Sequence, residues 1–193
     1  MLKKKSIYRD VHHDLIRQCK KGQQKAQMQI YKLYYKAMYN TSLRIVSQAA
    51  DAEDIMQDSF LDAFQKLNQY SEDGSFGGWL KRIVINNSLD FLHKQKPQTE
   101  LSDHLEVVDN EEDSNVDIHT HLKIKDVKAA LGKIKEEYRI MISLYLFEGY
   151  DHEEIGEILN ISYSLSRTRY SRAKKKLLEV VKLIEKERSF KWA

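Results

Sequence analysis

The chain has one proline, one cysteine and seven glycines in 193 residues. So few chain breakers argue against an all-β sandwich, whose many turns would need them, and favour long helices. The single cysteine, Cys19, cannot form an internal disulfide and leaves no Cys-cluster zinc site or redox pair. A reducing, intracellular setting is therefore expected. No stretch approaches the roughly 18 apolar residues of a membrane span. The first residues are basic, but no apolar run follows them, so they do not read as a signal peptide and a cytoplasmic location is expected. What is present is 41% hydrophobic and 32% charged residues, a globular composition. The length suits one ordinary domain or two small ones.

The net charge of +3 conceals a division. Residues 1–96 carry +6, residues 97–122 carry −8 with no Lys or Arg, and residues 123–193 carry +5. The acidic stretch opens on the only proline, Pro97, and has little apolar content and no period. It reads as a flexible linker between two basic helical domains, 1–96 and 123–193. A solvated connector is one role for it. Mimicry of nucleic acid within a basic channel is the other.

In the first domain, apolar residues recur at helical spacing from Leu15 and Ile16 through Ile30, Leu33, Tyr34, Ala37 and Met38. Further on, Asp51, Asp54, Asp58 and Asp62 fall on one arc of a helix, and Met56, Phe60, Ala63, Phe64 and Leu67 on the opposite arc. The acidic arc lacks histidines at ligand spacing, so it is not read as a metal site. By spacing alone it is an ordinary solvated face; the functional reading is a docking face for a basic partner. A glycine-rich loop, residues 70–78, then leads into a helix bearing Trp79, Lys81, Arg82, Asn86, His93, Lys94 and Lys96. Cations and aromatics together suit unpaired nucleic acid, where rings stack on bases and cations meet phosphates. Core packing is the competing reading for Phe76 and Trp79.

The second domain has a sharper pattern. Val127, Ala130, Leu131 and Ile134 give one amphipathic helix, and Tyr138, Ile140, Met141, Leu144, Tyr145 and Phe147 a second. Asp151 with Glu154 makes a capping box for a short helix, His152 to Leu159. Asn160 suits a left-handed turn, and Ser162 can cap the next helix. That helix runs from Tyr163 to about Glu187, with Tyr170, Ala173, Leu177, Val180, Val181 and Ile184 on its buried stripe. Leu165, Arg169, Arg172 and Lys176 lie opposite, flanked by Thr168 and Lys175. The unit is a helix-turn-helix with a basic recognition helix. The histidines read as scattered surface residues.

These segments resemble the sigma-70 family of bacterial RNA polymerase sigma factors, in its extracytoplasmic-function (ECF) group. Residues 51–60 are similar to the family's core-binding region 2.2, residues 74–83 with Asn86, Asn87 and Asp90 to regions 2.3 and 2.4, and residues 149–162 with 172–177 to region 4.2. The acidic stretch stands where larger members have a middle domain. The resemblance implies an all-α, two-domain fold with no catalysis of its own, no cofactor and no metal. It implies docking of Asp51, Glu53, Asp54, Gln57, Asp58 and Phe60 on the β′ clamp helices, and contact with the β flap. Ser75, Phe76, Trp79, Lys81, Arg82, Asn86, Asn87, His93 and Lys94 would melt and hold the −10 element, with a base flipped out into the preceding loop. Ser162, Tyr163, Ser164, Leu165, Arg167, Thr168, Arg169, Arg172, Lys175 and Lys176 would read the −35 element. An anti-sigma factor, membrane-anchored in many cases, is an implied partner.

The chain departs from the pattern. Lys135 stands where the family often has proline, and Ser164-Leu165-Ser166 where it commonly has Gly-Thr-Val. Ser166, on the buried stripe, is expected to bond back to a backbone carbonyl. A stand-alone helix-turn-helix regulator remains the alternative, and a nuclease built on Asp51, Asp54 and Asp58 with a divalent metal is a third reading.

Overall fold

The computed structural model describes residues 11–95 and 124–190, and all its regular structure is helical. The chain divides into two compact units, Met1–Gln95 and Lys96–Ala193. The acidic linker reading of 97–122, with His119 and His121, lies outside the described residues.

The first unit holds α1 (His13–Lys20), α2 (Gln24–Val46), α3 (Ala49–Gln65), a 3-10 turn (Leu67–Gln69) and α4 (Phe76–Gln95). The single periodic run expected from Leu15 to Met38 is two helices, broken at Lys21 and Gly22, where Gly22 has φ +76°. Leu33, expected on the apolar stripe, is exposed. Helices α2, α3 and α4 pack around Ile30, Met38, Met56, Phe60, Ala63, Phe76, Leu80 and Val84. Buried hydroxyls stitch this core: Ser88 Oγ meets Ser42 Oγ at 3.1 Å and donates to the Val84 carbonyl at 2.7 Å. Lys20 Nζ bonds both Glu72 Oε1 (2.8 Å) and the Tyr70 carbonyl (3.3 Å), fastening α1 to the loop before α4. Glu72 is held below the usual carboxylate range, chiefly by that bond from Lys20.

The second unit holds α5 (Ile124–Leu131), α6 (Glu136–Ile142), a π-helical turn (Ser143–Phe147), α7 (His152–Leu159) and α8 (Tyr163–Phe190). Helices α5, α6 and α7 all pack on α8. Ala130, Leu131, Met141, Ile142, Leu144, Ile155, Ala173, Leu177 and Val181 are buried there. An ion pair between Arg188 and the buried Asp126 joins the last turns of α8 to α5. The helix expected from Tyr138 to Phe147 is interrupted by the π turn, in which the Glu148 amide reaches back to the Ser143 carbonyl. Tyr145 stays half-buried, while Leu146 and Phe147 are exposed.

Candidate nucleic-acid and polymerase interfaces

Helix α3 begins after Gln48 and shows two unlike faces. Ala52, Ile55, Met56, Ser59, Phe60 and Ala63 are buried against α2 and α4. Glu53, Asp54, Gln57 and Asp58 are exposed, and Asp51 is half-buried. The anionic side chains therefore stand on the outer surface of the unit, open to a basic partner. Phe60 differs from its expected place at a contact surface. It is 2% exposed, with its ring 4.8 Å from that of Tyr31. Burial leaves it the task of holding α3 in place. Asp62, at the end of the acidic arc, is turned toward α4, where its Oδ2 accepts from Asn87 Nδ2 at 3.0 Å.

Ser75 caps α4: its carbonyl accepts from the Trp79 amide and its Oγ from the Gly78 amide, at 3.1 and 3.0 Å. Phe76 is 1% exposed, packed against the rings of Tyr34, Tyr70 and Trp79. This corrects the reading of Phe76 as a stacking platform; its ring is core. Trp79 is half-buried on the same cluster. Asn87 is also committed internally, donating to Ser59 Oγ (3.1 Å) as well as to Asp62. Asn86, His93 and Lys94 are exposed, and Lys81 and Arg82 half-buried. An open cleft of about 480 Å³ lies at the start of α4, lined by Tyr34, Met38, Ser75, Gly77, Gly78 and Lys81 with Val11, His12 and Ala37.

The helix-turn-helix forms as local chemistry dictates. Asp151 Oδ1 accepts from the Glu153 and Glu154 amides at 2.9 and 2.8 Å, and Glu154 Oε2 accepts from the Asp151 amide at 2.9 Å. Helix α7 ends on Asn160 in the left-handed region, φ 53° and ψ 49°. A Cβ on Gly156 would sit 2.8 Å from the Ile161 carbonyl oxygen, so this close turn is built around a residue without a side chain. Ser162 Oγ accepts from the Leu165 amide at 3.2 Å and opens α8.

On α8, Ser162, Tyr163, Ser164, Arg167, Lys175 and Lys176 are exposed, and Leu165, Thr168, Arg169 and Arg172 are half-buried. Arg167 lies over the Tyr163 ring, 6.0 Å from its centroid. Thr168 Oγ1 donates to the Ser164 carbonyl at 3.0 Å, and Lys176 pairs with Glu179 at 3.0 Å. Ser166 is fully buried, but its hydroxyl meets His152 Nδ1 at 3.0 Å in place of the expected backbone carbonyl. Nothing in local spacing singled out His152. It stacks on Tyr145 at 4.8 Å and lies 5.6 Å from Tyr170. The only sequence signal was a serine on an otherwise apolar stripe.

Residues 30–98 match the model of sigma-70 region 2, and residues 124–177 that of sigma-70 region 4. The ECF RNA polymerase sigma factor SigW of Bacillus subtilis is 29% identical over 177 residues, which cover 84% of this chain and 92% of that protein. RNA polymerase sigma factor SigV of Bacillus subtilis is 30% identical over 139 residues, covering 71% of this chain and 80% of SigV. Among solved structures, CnrH in complex with the cytosolic domain of CnrY matches with a TM-score of 0.55 at 24% identity, over 88% of this chain and 96% of CnrH. RpoE from Bartonella quintana, solved with the anti-sigma factor NepR, matches with a TM-score of 0.56 at 20% identity, over 80% and 96% of the two chains. Those two likenesses establish the fold; the region matches and the sequence relatives establish more. The chain belongs to the sigma-70 family of RNA polymerase sigma factors, in its extracytoplasmic-function group.

Proposed function

We propose that this sigma factor divides its work between a region 2-like domain, residues 1–96, and a region 4-like domain, residues 123–193, with 97–122 threading a basic polymerase channel between them. The exposed acids of α3 dock on the β′ clamp helices, with Glu53, Asp54 and Asp58 as the charged contacts. Lys81, Arg82, Asn86, His93 and Lys94 hold the melted −10 strand by its phosphates and base edges. The cleft before α4 receives the unpaired base, its cationic edge at Lys81 facing the backbone of the strand. Arg167 and Thr168, near the start of α8, reach base edges in the major groove of the −35 duplex, with Leu165 offering an apolar contact to a thymine methyl. Arg172, Lys175 and Lys176, further along, meet phosphate.

Bond-making stays with the polymerase in this reading, and the chain supplies address and strand opening. It works in the cytoplasm; no described helix is long and apolar enough to cross a membrane. CnrH and RpoE were solved with CnrY and NepR. By extension this chain is held inactive by an anti-sigma factor, membrane-anchored ones included.

The observation that carries the reading is one chain holding both an exposed acidic face on α3 and an exposed basic start to α8. A regulator acting alone needs only the second. Run-off transcription with purified core polymerase on a genomic promoter library tests it. Discrete starts that depend on this protein support the reading. Specific duplex binding without polymerase, and no dependent starts, would leave the stand-alone regulator.

A further inference from the structure

We propose that His152 and Ser166 form a positioning pair that sets the rotation of α8 on α7, and with it the register at which the recognition helix meets the −35 element, and that acidification loosens it. The inference rests on the −35 reading of α8. Ser166 is fully buried four residues into the helix, at the point where α8 crosses α7. A buried hydroxyl without a partner is costly. Its partner is the ring of His152, the first residue of α7. A hydrogen bond has a preferred direction, whereas an apolar contact can slide. The bond therefore fixes rotation as well as distance.

The lever is short and sensitive. Leu165 and Arg167 flank Ser166 in sequence. With side-chain tips about 6 Å from the helix axis, a turn of about 10° moves them by about 1 Å. Hydrogen bonds to base edges tolerate a few tenths of an ångström.

His152 is half-buried, and the groups around it can be named. The π turn contributes Tyr145, and α8 contributes Tyr163, Ser166, Arg167 and Tyr170. In its own helix the N-cap Asp151 acts on it, and Glu153 and Glu154 follow it in the first turn. Burial first, then Arg167, holds the imidazole below its ordinary value of 6.5, against the pull of Asp151. The positive end of α7 acts in the same direction as Arg167. The neutral ring's contribution is thus present above about pH 6.5, and is lost as pH falls from there through the lowered value. Burial also pushes the Tyr170 phenol up, so that ring stays neutral throughout.

The test uses the full chain assembled with core polymerase on a promoter it selects. Its readout is the ratio of output from templates with intact and scrambled −35 elements, which divides out the polymerase's own pH dependence. Ser166→Ala should lower this ratio roughly 3- to 10-fold, the worth of one hydrogen bond, with core affinity unchanged. The double variant His152→Phe, Ser166→Val replaces the polar pair by an apolar one. It should regain most of the ratio at pH 7.5 and lose the fall the unaltered chain shows as pH drops below about 6.5. In the full chain, the His152 ring followed by NMR should titrate below 6.5. An unchanged ratio in Ser166→Ala, an unchanged acid fall in the double variant, or a ring titrating at or above 6.5 overturns the proposal. If the unaltered chain shows no −35 discrimination, the −35 reading fails and takes the positioning role with it. The NMR titration then still reports whether ring and hydroxyl are coupled, which keeps the two failures distinct.

Discussion

Asn87 on α4 donates to Asp62 on α3 across 3.0 Å, and the same amide nitrogen reaches Ser59 Oγ at 3.1 Å. The helix with the acidic outer face is thus fastened to the helix proposed to hold the melted strand. Asn87→Leu should lower the stability of the first unit by about 1.5–3 kcal/mol, the range for losing a hydrogen bond to a charged group. Asn87→Asp should cost more at neutral pH, because it sets a second carboxylate against Asp62. Urea unfolding of both variants would check this. Equal midpoints for the two variants at neutral pH would count against it.

Charge reversal on α3 separates docking from folding. Asp54 and Asp58 are exposed on a helix whose opposite face is packed. Asp54→Lys with Asp58→Lys should weaken association with core polymerase by roughly tenfold or more, with the larger effect at low salt. The melting temperature should scarcely move. Titration of labelled protein with core enzyme at two ionic strengths gives both quantities.

Two positions on α8 should answer differently to substitution. Arg167→Gln removes a group near the start of the helix and should relax preference at one −35 position, by about 1–3 kcal/mol of discrimination. Lys175→Gln should weaken binding evenly across sequences and reduce the salt slope by about one. Promoter libraries randomised at −35, read at several salt concentrations, distinguish the two.

The close turn of the helix-turn-helix predicts a steric failure. Even a methyl on Gly156 would come within 2.8 Å of the Ile161 carbonyl oxygen, so Gly156→Val must push α7 away from the turn. Overpacking of that kind costs about 1–3 kcal/mol or more. Reduced −35-dependent output with intact core binding is the expected result.

Cys19 is 4% exposed and burial raises its thiol pKa, so the reactive thiolate is scarce at neutral pH. A thiol reagent should label the native protein far more slowly than the unfolded chain, because labelling waits on opening around Cys19. Labelling as fast as in the unfolded chain would contradict the packing of α1.

What could be read from the sequence follows from the range of the interactions. The capping box at Asp151, the turn at Asn160 and the bounds of α7 depend on residues within a few positions of one another, and all stand as expected. Asn87 and Phe76 were legible as residue types suited to nucleic acid. Their actual engagements, with Asp62 and with the Tyr34 and Tyr70 rings, span from a few to more than forty residues and leave no periodic trace. Phe60 was placed correctly on the apolar arc, but a motif match also assigned it to a surface, and burial decides between them. The pairing of Ser166 with His152 crosses a turn, so neither helix announces it alone.

The wide turn at Ser143–Phe147 also bears on how this domain tolerates length changes. Its five-residue loop closure accommodates one residue more than an α-helical path of the same rise. Deleting one residue there would let the turn relax to that α-helical path, with Ile140, Met141 and Ile142 still in the core that α8 needs. Deleting one from α6 itself would instead rotate all that precedes it by about 100° relative to all that follows. The turn is a slack link between the two halves of the domain, and a homologue one residue shorter at this point would need no compensating change before α7.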